Sequence, residues 1–182
     1  MQTVQLNLDE ENAQVRSLYE SAFPKEEQIP WADLMRLVKT MSLDFSVYRE
    51  DGNLVGMTIV YPRAQFNWFW YFAVPESLRG KGIGQRILSQ LLEKYKGQSN
   101  ILDMESPEQV CDNSAQRKRR HAFYLRNGFR DTGVGKSFKG IDYTIMMIGE
   151  GAFTQRDYDR IINELRSYWD AMPKENNYSN SI

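Results

Sequence analysis

The chain has 182 residues, of which 41% are hydrophobic and 26% are charged, and its formal net charge is −1. This length and composition predict one soluble globular domain with its own core, and the near-neutral charge excludes a polyanion-binding surface that spans the molecule. The single cysteine, Cys111, excludes an intrachain disulfide and fits a reducing compartment. Neither a signal peptide nor a membrane-spanning run is visible, so the sequence predicts a cytoplasmic protein.

The first part of the chain predicts two helices followed by three strands. Apolar residues recur at helical spacing over residues 13–22, with Asp9 as a candidate N-cap and Pro24 beyond the end. A second short helix is predicted over IPWADLMRLVKT, with Pro30 near its start. The strand-like segments are DFSVYRE, NLVGMTIVYP and the aromatic QFNWFWYFAV, and the first two are joined by the hairpin signal DGN.

The rest of the chain alternates helices and strands after a glycine-rich loop. The loop SLRGKGIG, residues 77–84, precedes an amphipathic helix whose apolar residues recur every three or four positions up to Tyr95. Next come the buried strand NILDMES, a helix that stops at Asn127-Gly128, an antiparallel pair of strands and a final helix over TQRDYDRIINELRSYWDAM. This order predicts an α/β fold with a mixed, mostly antiparallel central sheet and one parallel crossover.

The glycine loop carries the chemistry of an anion site. Gly80, Gly82 and Gly84 stand at alternate positions beside the cations Arg79 and Lys81. Small residues let backbone N–H groups converge on phosphate oxygens, and the N-terminus of the following helix adds partial positive charge. The loop therefore predicts a phosphate or pyrophosphate site, and a tight turn without a ligand is the structural alternative.

Two common phosphate-binding patterns do not fit this loop. A dinucleotide-binding loop has the pattern G-x-G-x-x-G, whereas the glycines here are spaced G-x-G-x-G. A P-loop that ends in Gly135-Lys136-Ser137 would need a glycine at position 130, which is Arg130.

The loop does match the pattern R/Q-x-x-G-x-G/A, through Arg79, Gly82 and Gly84. Together with the preceding FAVPES and the later AFYLRNGF, the chain resembles the GCN5-related N-acetyltransferase (GNAT) family over about residues 10–149. The resemblance implies the GNAT fold, with a strand–glycine loop–helix–strand unit for acetyl-CoA and an added C-terminal helix. It also implies acetyl-CoA as the acetyl donor.

The resemblance further implies where acetyl-CoA binds. In the family, the loop amides hold the CoA pyrophosphate, and the preceding strand pairs its backbone with the pantetheine arm and can polarise the thioester carbonyl. The positions carried over are Phe72, Ala73 and Val74 on the strand and Arg79, Gly80, Lys81, Gly82, Ile83 and Gly84 in the loop.

One position departs from the family pattern. Arg117 stands where many relatives have an asparagine for the pantetheine arm, and Asn113, one turn upstream, is a candidate substitute. The basic run at residues 117–120 is predicted either to meet the CoA 3′-phosphate through Arg117 or to form a solvated helix face.

Two residues are candidates for proton transfer. Tyr124 matches the family's general acid, which protonates the departing thiolate; otherwise it packs between Phe123 and Phe129. The segment LDMES places Asp103 and Glu105 on one face of a strand. In the family a carboxylate near the end of this strand often serves the amine, so the resemblance implies Glu105, nearer the strand end, as the general base. Its structural alternative is to cap or pair with the basic helix.

In the family the first two helices and their connection usually line the acceptor site, so the resemblance implies an acceptor site at the connection FPKEEQIPW. Glu26 and Glu27 could attract a cationic amine and Trp31 could cover it; otherwise the acids complement the helix dipole. A polyamine, an amino sugar, an amino acid and a protein amine all stay open as acceptors. His121, the single histidine, is predicted to be a surface or packing residue, and no Cys/His combination suggests a metal site.

The sequence thus predicts a single domain over residues 1–182, with its core at about 10–149, an extra C-terminal helix over 153–172 and a polar tail over 173–182. The predicted function is acetyl-CoA-dependent N-acetyl transfer to a primary amine of a small molecule or peptide. A catalytically inactive CoA-binding or protein-interaction module is the alternative. The composition argues against nucleic acid and membrane partners, and edge strands of this fold can pair across subunits, which allows a homodimer.

Overall fold

The computed structural model of the chain describes residues 1–6 and 12–172. Within them, the strands are β1 (Gln2–Gln5), β2 (Asp44–Glu50), β3 (Asn53–Tyr61), β4 (Asn67–Ala73), β5 (Asn100–Glu105), β6 (Arg130–Phe138) and β7 (Ile141–Ile148). The helices are α1 (Ala13–Ala22), α2 (Trp31–Thr40), α3 (Ile83–Lys94), α4 (Ser114–Arg126) and α5 (Gln155–Ala171). None of the described helices is long and apolar enough to cross a bilayer.

The predicted α/β fold class and the predicted order of elements from α1 onward are confirmed. The candidate N-cap Asp9 and the tail at 173–182 lie outside the described residues. Strand β1 was not predicted. All of its residues are exposed, and it is a strand because its backbone pairs antiparallel with β2 along its whole length. A short polar segment shows no period-2 apolar pattern, so only this tertiary pairing defines it.

The described strands form one sheet in the order β1-β2-β3-β4-β5-β7-β6. Every neighbouring pair is antiparallel except β4 and β5, which are parallel and are connected through the glycine loop and α3. These two strands pair over only two positions, Asn67 opposite Asn100 and Trp68 opposite Ile101, and then separate. The sheet therefore opens into a gap between the later part of β4, residues 69–73, and the later part of β5.

Buried amide side chains hold the closed end of this gap. The Nδ2 atom of Asn67 donates to Oδ1 of Asn100 at 2.9 Å and to Oε1 of Gln98 at 2.8 Å. Asn67 and Asn100 are almost fully buried. Satisfied amide pairs of this kind are stable in a core, because each buried polar atom keeps a partner. The point where the two strands begin to separate is thus fixed by specific hydrogen bonds.

A β-bulge in β4 lies just beyond that point. Consecutive residues Ile59 and Val60 of β3 pair with Tyr71 and Phe69, so Trp70 is the extra residue of β4. Side chains normally alternate across a strand, but the bulge turns Trp70 and Tyr71 to the same side. Their rings stack there with centroids 5.2 Å apart.

Helices cover both faces of the sheet, as their apolar stripes require. Helices α1, α2 and α5 pack on one face, where Val15, Leu34 and Ile161 are almost fully buried. Helices α3 and α4 pack on the other face, through residues that include Leu88 and Tyr124. Each fully buried aliphatic side chain of this size contributes about 1.5–3 kcal/mol to stability.

The C-terminal helix α5 is an integral part of the first of these layers. It begins at a capping box in which Thr154 and Asp157 satisfy each other's backbone N–H groups. Glu164 on α5 forms an ion pair with Arg63, whose Nε lies 2.9 Å from Oε2 of Glu164, and accepts a hydrogen bond from the Tyr61 hydroxyl. The helix is therefore anchored to the β3–β4 connection as well as to the core.

We expect Gly149→Ala to destabilise the protein by about 3 kcal/mol, because both strain and overlap would follow. Gly149 has φ +106°, and a Cβ there would lie 2.7 Å from the Ser99 Cα and 2.9 Å from the Gln98 carbonyl oxygen. Gly151 is the matched control: its φ is +85°, a Cβ there meets open space, and Gly151→Ala should cost about 1 kcal/mol. Urea unfolding midpoints measure both values. Equal costs would show that the segment at residues 98–99 moves aside.

Candidate active site

The glycine loop presents free backbone N–H groups at the start of α3. Gly80 and Gly82 have φ +75° and +78°, a left-handed conformation that glycine adopts without strain. In the described part of the chain, no backbone group accepts a hydrogen bond from the N–H groups of residues 80–85. Arg79 and Lys81 are exposed beside them. The loop thus combines unpaired donors, two cations and a helix N-terminus, which together favour an anion.

The gap between β4 and β5 leads directly to this loop. Beyond Trp68, the edge of β4 that faces β5 has no strand partner among the described residues. Ala73 is buried, Phe72 and Val74 are half-buried, and a Cβ at Gly84 would lie 3.9 Å from the side chains of Phe72 and Val74. The residues of β4 and of the glycine loop that are predicted to bind acetyl-CoA therefore form one continuous surface, from an open strand edge to a helix N-terminus.

Tyr124 lies on α4 where this helix packs against the sheet. It is 8% exposed, and its ring contacts Phe123 and Phe129 edge-on at centroid distances of 5.2 and 5.5 Å. Its hydroxyl has no hydrogen-bond partner within the residues that the structure describes, although Tyr124 is part of the core. Burial raises the pKa of Tyr124 to about 12, the positive charge of Arg120 lowers it and the charge of Asp103 raises it. The hydroxyl therefore stays protonated and can donate to an incoming group.

Glu105, the predicted base, lies at the end of β5 beneath two arginines of α4. Its Oε1 accepts from Nη2 of Arg117 at 2.9 Å, and its Oε2 accepts from Nη2 of Arg120 at 2.7 Å. The carboxylate side chain is only 8% exposed. Asn113 adds a long contact of 3.5 Å to Oε1. The structure thus shows Glu105 in the ion-paired arrangement that the sequence left open as its alternative.

Asp103 is also ion-paired, on the same face of β5. Its Oδ2 lies 2.5 Å from Nζ of Lys136 on β6, and its Oδ1 accepts from the indole Nε1 of Trp68 at 2.9 Å. The Lys136 ammonium lies over the ring of Tyr143, 4.7 Å from its centroid. Burial lowers the pKa of Lys136, but the charge of Asp103 and the hydrogen bonds to Asp103 and Tyr158 outweigh it and raise the pKa overall.

Glu27, from the connection between α1 and α2, reaches the same region. Its Oε1 accepts a hydrogen bond from the Tyr143 hydroxyl at 2.5 Å, and its backbone carbonyl accepts one from the Tyr71 hydroxyl at 3.0 Å. Burial raises the pKa of Glu27, the hydrogen bond from Tyr143 lowers it, and the charges of Glu105 and Asp103 raise it further. The net result is a raised pKa.

The other predicted acceptor residues have different surroundings. Glu26 is exposed next to Glu27. Trp31 is half-buried, with its ring centroid 5.8 Å from that of Tyr19 and 6.1 Å from that of Phe45. Its ring is thus packed against neighbouring aromatic rings, as a fixed wall of the predicted acceptor region and not as a mobile cover over the amine. His121 is also placed away from the gap: its Nε2 contacts the Asp131 carboxylate at 2.9 Å.

Arg117 requires a correction. The sequence suggested either a ligand of the CoA 3′-phosphate or a solvated helix face, but Arg117 is only 4% exposed. Its Nη2 binds Glu105 and its Nη1 donates to Oε1 of Gln109 at 2.9 Å. Both guanidinium ends are thus committed inside the protein. Lys118 and Arg119 are the exposed cations of this run.

Sequence reasoning missed Tyr143, Lys136 and Arg120. Tyr143 pairs directly with Glu105 in the β5–β7 ladder and with Lys136 in the β6–β7 ladder, so these three side chains form one row. The signal that could have found them is strand register, because cross-strand partners share a face. Arg120 could have been found by helical spacing, since it lies one turn after Arg117.

Comparison with known proteins agrees with this arrangement. The acetyltransferase (GNAT) domain family model matches residues 42–131, and a search of curated protein sequences finds no significant match. A GNAT-family protein from Bacteroides thetaiotaomicron is 21% identical and covers 95% of this chain and 100% of its own, with a TM-score of 0.74.

Two further solved structures hold the donor or its product. A GNAT acetyltransferase from Elizabethkingia anophelis with acetyl-CoA bound is 14% identical, covers 82% of this chain and 97% of its own, and has a TM-score of 0.61. An aminoglycoside 6′-N-acetyltransferase complexed with coenzyme A is 17% identical, covers 81% of this chain and 96% of its own, and has a TM-score of 0.62. These similarities show that the chain has the same fold.

Proposed function

Because residues 42–131 belong to the GNAT acetyltransferase family, whose fold the described chain adopts, we propose that the protein acetylates a primary amine of a small molecule or peptide. Acetyl-CoA is the donor and the product is an amide. The observation that carries this proposal is the gap between β4 and β5, which runs into the glycine loop. An elongated ligand with an amide-rich arm and a pyrophosphate matches both parts of that surface.

Each part of acetyl-CoA has a proposed partner in this chain. The backbone at Phe72, Ala73 and Val74 pairs with the pantetheine arm as an added strand would, and an N–H of β4 polarises the thioester carbonyl. The pyrophosphate binds the free N–H groups of the loop. The loop residues with this role are Arg79, Gly80, Lys81, Gly82, Ile83 and Gly84.

The proposed reaction is direct attack of the amine nitrogen on the thioester carbon. The new C–N bond forms as the C–S bond breaks, and the CoA thiolate takes a proton from the Tyr124 hydroxyl. A phenol whose pKa is raised to about 12 stays protonated at neutral pH and is available as this acid. The Tyr124 phenolate is then reprotonated, and one proton is released to solvent for each ammonium acetylated.

The acceptor binds on the side of the sheet where α1 and α2 meet β5 and β7. Glu26 and Glu27 supply negative charge there, and Trp31 belongs to the aromatic wall together with the stacked pair Trp70 and Tyr71. A cationic amine suits this combination, because carboxylates and ring faces both attract ammonium groups. One of the structural relatives, the aminoglycoside 6′-N-acetyltransferase, has an amine of an aminoglycoside as its acceptor.

Calorimetric titration with acetyl-CoA, followed by a thiol-release screen of amines, tests the proposed function. We expect micromolar binding and release of CoA thiol with at least one class among polyamines, amino sugars, amino acids and N-terminal peptides. Binding without thiol release on any amine would instead indicate an inactive CoA-binding module. A folded protein that does not bind acetyl-CoA would contradict the proposal as a whole.

A further inference from the structure

We propose that Glu27, rather than Glu105, takes the proton from the acceptor ammonium. This inference rests on the proposed acetyl transfer and assigns one of its two proton transfers to a residue that the sequence suggested only for substrate binding. Three carboxylates lie near one another at this end of the sheet: Glu27, Asp103 and Glu105. They differ in what each would lose on accepting a proton.

Two of these carboxylates already neutralise cations, the buried Arg117 and the half-buried Lys136. Protonation of Glu105 would leave Arg117, which is 4% exposed, without a counter-charge inside the protein. Protonation of Asp103 would do the same to Lys136, whose ammonium lies 2.5 Å from Oδ2. Protonation of either carboxylate would therefore break an ion pair that is part of the fold.

Glu27 has a different kind of partner. Its carboxylate accepts a hydrogen bond from the Tyr143 hydroxyl, which is neutral, and no cation within the described residues forms an ion pair with it. Protonation of Glu27 therefore removes no salt bridge in that part of the chain. Burial and the neighbouring negative charges of Glu105 and Asp103 raise the pKa of Glu27, which makes it a better proton acceptor near neutral pH than an ordinary glutamate.

Glu27 is also held in place at both its main chain and its side chain. The Tyr71 hydroxyl donates to its carbonyl oxygen at 3.0 Å, and its own N–H donates to the Pro24 carbonyl oxygen at 2.9 Å. The Tyr143 hydroxyl orients the carboxylate. A positioned carboxylate at the edge of the acceptor region meets the geometric requirement for a base, directly or through one water.

Several titratable and charged groups surround Glu27, and they come from five secondary-structure elements. They are Tyr19 on α1, Tyr71 on β4, Asp103 and Glu105 on β5, Arg120 on α4 and Tyr143 on β7. Arg120, which forms an ion pair with Glu105, lowers the pKa of Glu27, but the causes that raise this pKa outweigh it. The tyrosines stay neutral through the working range, since burial raises the pKa of Tyr19, Tyr71 and Tyr143. Of Glu27 and these three tyrosines, Glu27 is thus the group whose charge is expected to change.

The acceptor nitrogen loses two protons in the proposed reaction, and the CoA sulfur gains one. The ammonium R–NH₃⁺ transfers one proton to the Glu27 carboxylate, which gives the free amine and a neutral carboxyl group. The amine lone pair then forms the C–N bond, the C–S bond breaks, and the thiolate is protonated by Tyr124. Glu27 afterwards releases its proton to solvent, while the nitrogen loses its remaining extra proton to the Tyr124 phenolate.

The test is the pH dependence of kcat/KM for the best amine of the screen at saturating acetyl-CoA. For the wild type, kcat/KM should rise to a plateau as Glu27 ionises. For Glu27→Gln, we expect a loss of about 10²-fold at pH 7 and a continued rise in proportion to the free amine up to the amine's own pKa. Glu93→Gln, which changes an exposed carboxylate near the end of α3, should keep the wild-type profile.

A second variant separates proton transfer from simple charge attraction. In Tyr143→Phe, the hydroxyl that stabilises the Glu27 anion is absent, so the pKa of Glu27 rises. The acid limb of the profile, which is the part where kcat/KM rises with pH, should therefore move to higher pH. The affinity for acetyl-CoA should not change in either variant. A loss confined to KM, with an unshifted limb, would overturn the inference and leave Glu27 as a binding residue.

The Glu105→Gln variant distinguishes the two candidate bases directly. An acid limb that persists in Glu27→Gln but disappears in a folded Glu105→Gln variant would overturn the inference and identify Glu105 as the base. Failure of the proposed function is a separate result, because the wild type would then not bind acetyl-CoA or would release no thiol with any amine. That result would overturn both proposals.

Discussion

We expect Gly82→Asp to weaken acetyl-CoA binding at least about 100-fold, the largest effect of any single loop substitution. Each charged contact or charge-assisted hydrogen bond contributes about 1.5–3 kcal/mol, and an aspartate would replace attraction by repulsion at the pyrophosphate. Gly82 precedes α3 directly and has φ +78°, so a side chain there lies beside the free N–H groups. Calorimetric titration of both proteins gives the ratio of the Kd values.

Two controls separate charge from backbone strain. Gly97 has φ +75° and open space where a Cβ would lie, but it is beyond the opposite end of α3. Gly97→Asp therefore introduces the same charge and similar strain away from the loop, and it should keep the wild-type affinity. Gly82→Asn keeps the shape without the charge and should show an intermediate loss. Equal affinities for Gly82→Asp and wild type would contradict a pyrophosphate site in this loop.

The second large effect is expected for Tyr124→Phe, which should lower the rate of acetyl transfer about 100-fold. The substitution keeps the packing against Phe123 and Phe129 and removes only the hydroxyl, which has no other partner in the described chain. Binding of acetyl-CoA should stay within a factor of about two, since the proposed hydroxyl contact forms when the thiolate departs. Single-turnover measurement of thiol release isolates the chemical step.

The pH dependence adds an independent check on Tyr124. Because burial raises its pKa to about 12, the phenol keeps its proton and should cause no loss of activity below about pH 11. Tyr48→Phe is the control: Tyr48 is also buried, but its hydroxyl contacts Thr58 at 3.1 Å on a different part of the sheet. A Tyr124→Phe variant with the wild-type single-turnover rate would exclude Tyr124 as the acid.

Much of the fold could be predicted because its signals are local. The apolar stripe of α3, the turn sequence before β3 and the stop at Asn127-Gly128 each depend on residues close in the chain. β1 could not be predicted, since its exposed residues become a strand only through pairing with β2. The bulge at Trp70 could not be predicted either, because it depends on how β4 aligns with β3.

The candidate site divides in the same way. The glycine loop and Tyr124 were identified from short motifs, whereas the row of Glu105, Tyr143 and Lys136 depends on the register of three strands that are distant in sequence. The basic run at 117–120 was misleading because all four of its residues are cations, so the sequence does not show which of them face the protein interior. Helical geometry turns Arg117 and Arg120 toward Glu105 and leaves the two cations between them in solvent.

The limited pairing of β4 with β5 has a consequence for folding thermodynamics. The sheet consists of two halves, β1–β4 and β5–β7, whose backbone ladders meet at only two residue pairs. On the proposed function, acetyl-CoA completes the junction between the halves, and its binding free energy adds to the stability of the folded state. A donor concentration of 100 times Kd would contribute about 2.7 kcal/mol. The acetyl-CoA level of the cell would then set not only the rate of acetylation but also the fraction of this protein that stays folded.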